Sequence, residues 1–128
     1  MADLKPFTTV LLEPGIYKQT LRINQPDVIV AGTDRNKVII DGEVLRSNGI
    51  VVTSDRVTIA NLTVRNTLLN GVLVTGMSDD SGGIAKGSDG YHKLDPKEFP
   101  PIQGFHITHV TSYNNGLYGI YTFDSQHG

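Results

Sequence analysis

Four side chains able to carry protons fall within the closing stretch YGIYTFDSQHG: Tyr118, Tyr121, Asp124 and His127. A tyrosine or histidine base beside an acid suits proton abstraction next to a carboxylate, and so β-elimination or C5 epimerisation. Strand parity works against the set. If this stretch is extended, Tyr121 points outward and Thr122 inward, so the groups do not obviously meet. The plainer reading, which parity favours, makes the aromatics a larger version of an outward column with Val51 and Leu73. Exposed tyrosines also suit stacking on sugar rings.

A second group lies in SDDSGGIAKGSDGYHKLDPKEFPPIQ, where Asp79, Asp80, Asp89, Asp95 and Glu98 stand against Lys86, Lys93 and Lys97, with Tyr91 and His92 between them. Asp89, Tyr91, His92 and Asp95 are the candidate ligand-binding residues. Loops held by a rigid scaffold often carry function. Clustered carboxylates could take Ca²⁺, but the regular Asp spacing of a calcium loop is missing. A solvated loop explains the composition equally well, and no other cofactor is expected. His106 and His109 are three apart, which on a strand sends them to opposite faces, so no metal pair is expected.

What must position these residues is a repeat. NGIVVT at 48–53 returns as NGVLVT at 70–75, 22 residues on, and again as YGIYTF at 118–123, a further 48 on. VTIANLTVRNTLLNGVLV from Val57 aligns without a gap on FHITHVTSYNNGLYGIYT from Phe105. The second interval of 48 exceeds the first of 22 by 26 residues, the length of the Gly-, Ser-, Asp- and Pro-rich stretch, which reads as an inserted loop over 76–104. Apolar residues alternate over short spans, the period of strands with one buried face. Ile50, Val52, Ile59, Leu62, Val64, Val72, Val74, Ile107, Val110 and Ile120 are expected to point inward. Asn66 and Asn114 share a turn position where a short amide tolerates a left-handed backbone and could bond to its copy. Asn-Gly at 48–49 and 70–71 is a hairpin signal. Yet whole units match in direct order, and direct repeats stack in parallel, each strand pairing with its equivalent.

The chain of 128 residues suits one domain. With 38% hydrophobic and 19% charged residues it reads as an ordered protein. A formal charge of −2 without a Lys/Arg cluster argues against a non-specific grip on nucleic acid or an anionic membrane. No apolar run approaches a membrane span, and MADLKPFTT has no apolar region of a signal peptide. The absence of cysteine excludes disulfides and thiolate metal sites.

PGIY at 14–17, LRI, VIVAG, VIIDG, NGIVV, VTIANLTVRN and NGVLV resemble the right-handed parallel β-helix proteins, including pectate-lyase-like, alginate-epimerase-like and NosD-like chains. The resemblance covers about residues 9–75 and 104–123. It implies an all-β single-stranded solenoid of about four coils. It also implies an extracellular or periplasmic setting and the binding or processing of an acidic polysaccharide on the outer groove. The alternatives are a non-catalytic scaffold or assembly module, and a NosD-like accessory. Alginate epimerases carry a Tyr, Asp and His set, but the spacing of Tyr118, Tyr121, Asp124 and His127 departs from it. In pectate-lyase-like relatives Ca²⁺ neutralises a uronic acid.

Parallel coils expose raw backbone at their ends. Only Met1–Pro6 precedes the first apolar stretch, and the chain stops at Gly128 soon after a strand. The expectation is a piece of a longer solenoid that self-associates through uncapped coil ends.

Overall fold

The structure is a computed structural model that describes residues 7–76, 101–123, 125–126 and 128. Among these residues there is no helix. The strands are β1 (Thr9–Leu12), β2 (Gly15–Tyr17), β3 (Leu21–Ile23), β4 (Ile29–Gly32), β5 (Val38–Asp41), β6 (Asn48–Val52), β7 (Thr58–Arg65), β8 (Asn70–Thr75), β9 (Ile102–Gln103), β10 (His106–Tyr113), β11 (Tyr118–Phe123) and β12 (Ser125–Gln126). The stretch expected as one loop over 76–104 thus ends in a short strand, β9.

Every pairing among the described strands is parallel. One sheet runs β1-β4-β7-β5-β2 with β10 also on β7, a second runs β11-β8-β6-β3, and β12 pairs β9. Among the described strands none pairs with its neighbour in the chain, so the two Asn-Gly pairs close no hairpin between described strands. They lie side by side instead, Asn48 opposite Asn70. Parallel neighbours need a crossover, and here the crossovers are other strands.

Alternation over short spans predicts short strands, but β7 and β10 have eight residues each. Each bends midway, at Asn61 (φ 58°) and His109 (φ 52°). The first half of β7 pairs with β4 and its second half with β5. One strand therefore serves two directions of sheet, and the side chain at the bend must accept a left-handed backbone. Asn61 also donates Nδ2 to the Gly32 carbonyl at 2.8 Å.

A second left-handed column stands two residues before β1, β4, β7 and β10. Phe7, Asp27, Arg56 and Gly104 have φ of 60°, 59°, 55° and 70°, and the strand registers place them in line. Asn66 and Asn114 are left-handed too, as their shared position suggests, with φ of 59° and 54°. The amide of Asn66 bonds to Asp41 Oδ1 at 3.3 Å rather than to its copy.

Leu21, Ile23, Val30, Ile40, Ile50, Val52, Ile59, Leu62, Val64, Val72 and Val74 form one buried cluster, with Ile107 and Val110 packed against its margin. Ile120 falls opposite Val72 as expected but is 43% exposed. It lies on β11, the outer strand of its sheet, and is covered from one side by β8. Val51, Leu73 and Tyr121 do form a column. It is not an open apolar stripe, because Val51 and Leu73 are 2% and 0% exposed although they stand outside the main cluster. Period two assigns a side chain to a face; it does not say what covers that face.

Gly49, Gly71 and Gly119 stack for lack of room. A Cβ on Gly49 would meet Val64 Cγ1 and, at 2.8 Å, the Gly71 carbonyl; one on Gly71 would meet Ser112 Oγ and, at 2.5 Å, the Gly119 carbonyl.

Candidate functional site

β11 carries an aromatic row. The rings of Tyr118 and Tyr121 lie 5.0 Å apart at a tilt of 32°, and those of Tyr121 and Phe123 lie 6.2 Å apart at 33°. Odd spacing starts Tyr118 and Tyr121 on opposite faces, yet the rings meet. Tyr118 is 44% exposed, and Tyr121 and Phe123 are half-buried. The row follows from register: the positions held by Asn70, Leu73 and Thr75 on buried β8 are Tyr118, Tyr121 and Phe123 on β11. Of the other residues singled out for chemistry, Asp89, Tyr91, His92, Asp95, Asp124 and His127 lie outside the described residues.

A polar column crosses the other sheet. Asp41, Arg65 and Tyr113 face one another on β5, β7 and β10. Arg65 Nε donates to Asp41 Oδ2 at 3.0 Å and Nη1 to the Tyr113 hydroxyl at 3.2 Å. Asp41 Oδ1 also accepts the Glu43 N–H at 2.8 Å. Burial pushes the Asp41 carboxyl up. The bonds from the Glu43 N–H, Arg65 and Asn66 outweigh it and hold the group below its ordinary 3.8. Bonds to Tyr113 and Asp41 hold Arg65 above the ordinary arginine range.

A cleft of about 310 Å³ opens where the turns before β4 and β7 approach the end of β8. Pro26, Thr53, Ser54, Asp55, Arg56, Gly76, Pro101 and Ile102 line it. Arg56 grips Asp27 with two bonds, Nε to Oδ1 at 2.7 Å and Nη2 to Oδ2 at 3.2 Å. The hydrogen bond from Arg56 holds the Asp27 carboxyl below its ordinary value, and the same bond raises Arg56. Asp55 Oδ1 accepts the Gln103 N–H at 2.9 Å, while its Oδ2 stands 4.0 Å from Arg56 Nη1.

His106 and His109 are both exposed, and Nδ1 of His109 is bonded to the Thr108 hydroxyl at 2.8 Å. Among the described residues no group of three or more His, Asp or Glu side chains is placed to hold a metal ion, and no helix is long and apolar enough to cross a membrane. Sequence reasoning did not select the Arg65–Tyr113 pair, although the two residues coincide in the ungapped repeat alignment. The cleft had no such signal, since four separate segments build it. Set against protein families, curated proteins and solved structures, the chain matches none of them.

Proposed function

We propose that the chain is a right-handed parallel β-helix of about four coils that binds an acidic polysaccharide outside the cytoplasm. Supporting the coil are the all-parallel pairing and the stacked left-handed corners at Asp27, Arg56 and Gly104. The binding reading is carried by the aromatic row of Tyr118, Tyr121 and Phe123. Rings spaced along one strand offer a rigid, amphipathic platform on which successive sugar residues stack. The test is calorimetric titration with an oligo-uronate. Tyr118→Ala should weaken binding about tenfold, the equivalent of one stacked ring. Because Tyr118 lies on an outer strand and is 44% exposed, the fold should survive the change. Wild-type affinity in Tyr118→Ala and Tyr121→Ala overturns the reading.

A second reading, an assembly module, is favoured by apolar exposure on or beside the outer strands: Leu11 and Ile16 at one side of the stack, Leu117, just before β11, and Ile120 at the other. The edge of an outer strand is a general template for pairing with another chain. Light scattering over a wide concentration range separates the two. Growth in mass with concentration supports assembly, and a constant monomer mass rejects it.

A further inference from the structure

The cleft between the stacked turns has features of its own. Asp55 Oδ2 and Arg56 Nη1 form a loose ion pair at 4.0 Å, longer than a hydrogen bond. A hydroxyl group is both donor and acceptor, so a single one can bridge such a pair. Thr53 and Ser54 add hydroxyl-bearing side chains to the same wall, and Pro26, Pro101 and Ile102 supply an apolar surface. Hydroxyls at the edge and C–H groups on the face are the two chemistries of a sugar ring. The volume of about 310 Å³ is at the small end for ligand sites, which start near roughly 300 Å³.

Charge narrows the choice. Asp27 is occupied by Arg56, and among the described residues here Asp27 and Asp55 together outweigh the Arg56 guanidinium. A ligand carboxylate would be repelled here.

We infer that this cleft is a subsite for one neutral sugar residue, held by a hydroxyl bridging Asp55 and Arg56. The inference rests on the saccharide reading but uses a different surface from the aromatic row. The experiment is amide-resolved NMR of the full chain, titrated with methyl glycosides of neutral hexoses and of uronic acids. The neutral glycosides should shift residues 53–56 and 102–103, with uronates at least about fivefold weaker. Ser54→Ala should weaken the neutral ligand by about fivefold, the worth of one hydrogen bond. Asp55→Asn keeps the Oδ1 acceptor for Gln103 and should narrow the preference against uronates. In Tyr118→Ala the monosaccharide shifts at 53–56 should be unchanged even where oligo-uronate binding is weakened, which separates the two surfaces. Shifts confined to β11, no shifts at 53–56, or equal affinity for uronate and neutral sugar each overturn the subsite.

Discussion

Asn70 sits directly on Asn48, and the Asn48 side-chain oxygen accepts both the backbone N–H and the Nδ2 of Asn70 at 3.2 Å. Both residues are buried. One acceptor thus serves two donors across neighbouring strands and locks the register in which Gly49, Ile50 and Val51 meet their copies. Asn70 Oδ1 is itself buried without a partner. Asn48→Ala would strand both donors. Each unpaired buried donor costs about 1–3 kcal/mol, so chemical denaturation should show a loss of at least about 2 kcal/mol. An unchanged midpoint would mean that the ladder contributes nothing.

The glycine column makes a sharper contrast. Gly71→Ala places a Cβ against Ser112 Oγ and the Gly119 carbonyl. A backbone carbonyl cannot rotate away, so an overpacking cost of about 1–3 kcal/mol or more is expected. At Gly15 the nearest atom to a new Cβ is Tyr17 Cε2, at 3.9 Å. Gly15→Ala should leave the melting temperature unchanged or slightly raised, since alanine reduces the freedom of the unfolded chain. Equal effects at the two sites would contradict the stacking.

This column was legible because its residues recur in direct order, and so were the left-handed corners at Asn66 and Asn114, where an amide side chain signals the conformation. The corner at Arg56 was not, because arginine carries no preference for a positive φ and Arg56 is held there by register between β4 and β10. Val51 and Leu73 show the same limit: alternation marks their face, while burial depends on what covers that face. Of the candidate site, the contact of Tyr118 with Tyr121 contradicts strand parity because long side chains reach beyond it. Arg65 and Tyr113 could have been paired from the repeat interval alone, since in-register stacking turns that interval into contact.

Val72 tests the core assignment. It is fully buried between Ile50 and Ile120. Val72→Asp would bury an unpaired carboxylate at a cost of at least several kcal/mol, comparable with the stability of a whole domain. Loss of the cooperative melting transition is expected. A folded, stable variant would require another inward face.

Acid should weaken the fold partly through Asp41. Its folded carboxyl titrates below the ordinary 3.8. The stability it contributes is fully present above that value and is lost as pH falls through the lower folded value. Asp41→Asn should therefore flatten the stability curve below about pH 4. Asp27 is depressed in the same direction by its bond from Arg56. Its more exposed pair is better screened by water, so Asp27→Asn should flatten the curve less. Parallel curves for wild type and Asp41→Asn would show that the Asp41–Arg65 pair does not couple to folding.

The turn after β5 holds the clearest strain. Glu43 and Val44 have φ of 54° and 53° in succession, and a β-branched side chain is poorly suited to that region. Hydrogen bonds on either side hold the turn in place: Asp41 Oδ1 takes the Glu43 N–H at 2.8 Å, the Asn66 carbonyl takes the Val44 N–H at 2.8 Å, and the Gly42 carbonyl takes the Leu45 N–H at 2.9 Å. Val44 is 62% exposed, so little packing is lost on replacing it. Left-handed backbone costs an ordinary L-residue about 1–2 kcal/mol, and asparagine bears it more easily. Val44→Asn should therefore stabilise the protein by about 1 kcal/mol, a rise of roughly 3–5 °C in melting temperature. Neighbouring Leu45 is also exposed but is not left-handed, so Leu45→Asn should bring no such gain. Proline at 44 would force a negative φ and remove the N–H that bonds to Asn66, and it should be strongly destabilising. Differential scanning calorimetry on the three variants decides the matter. A fall in melting temperature for Val44→Asn, or an equal rise for Leu45→Asn, would show that the left-handed turn is not the source of strain.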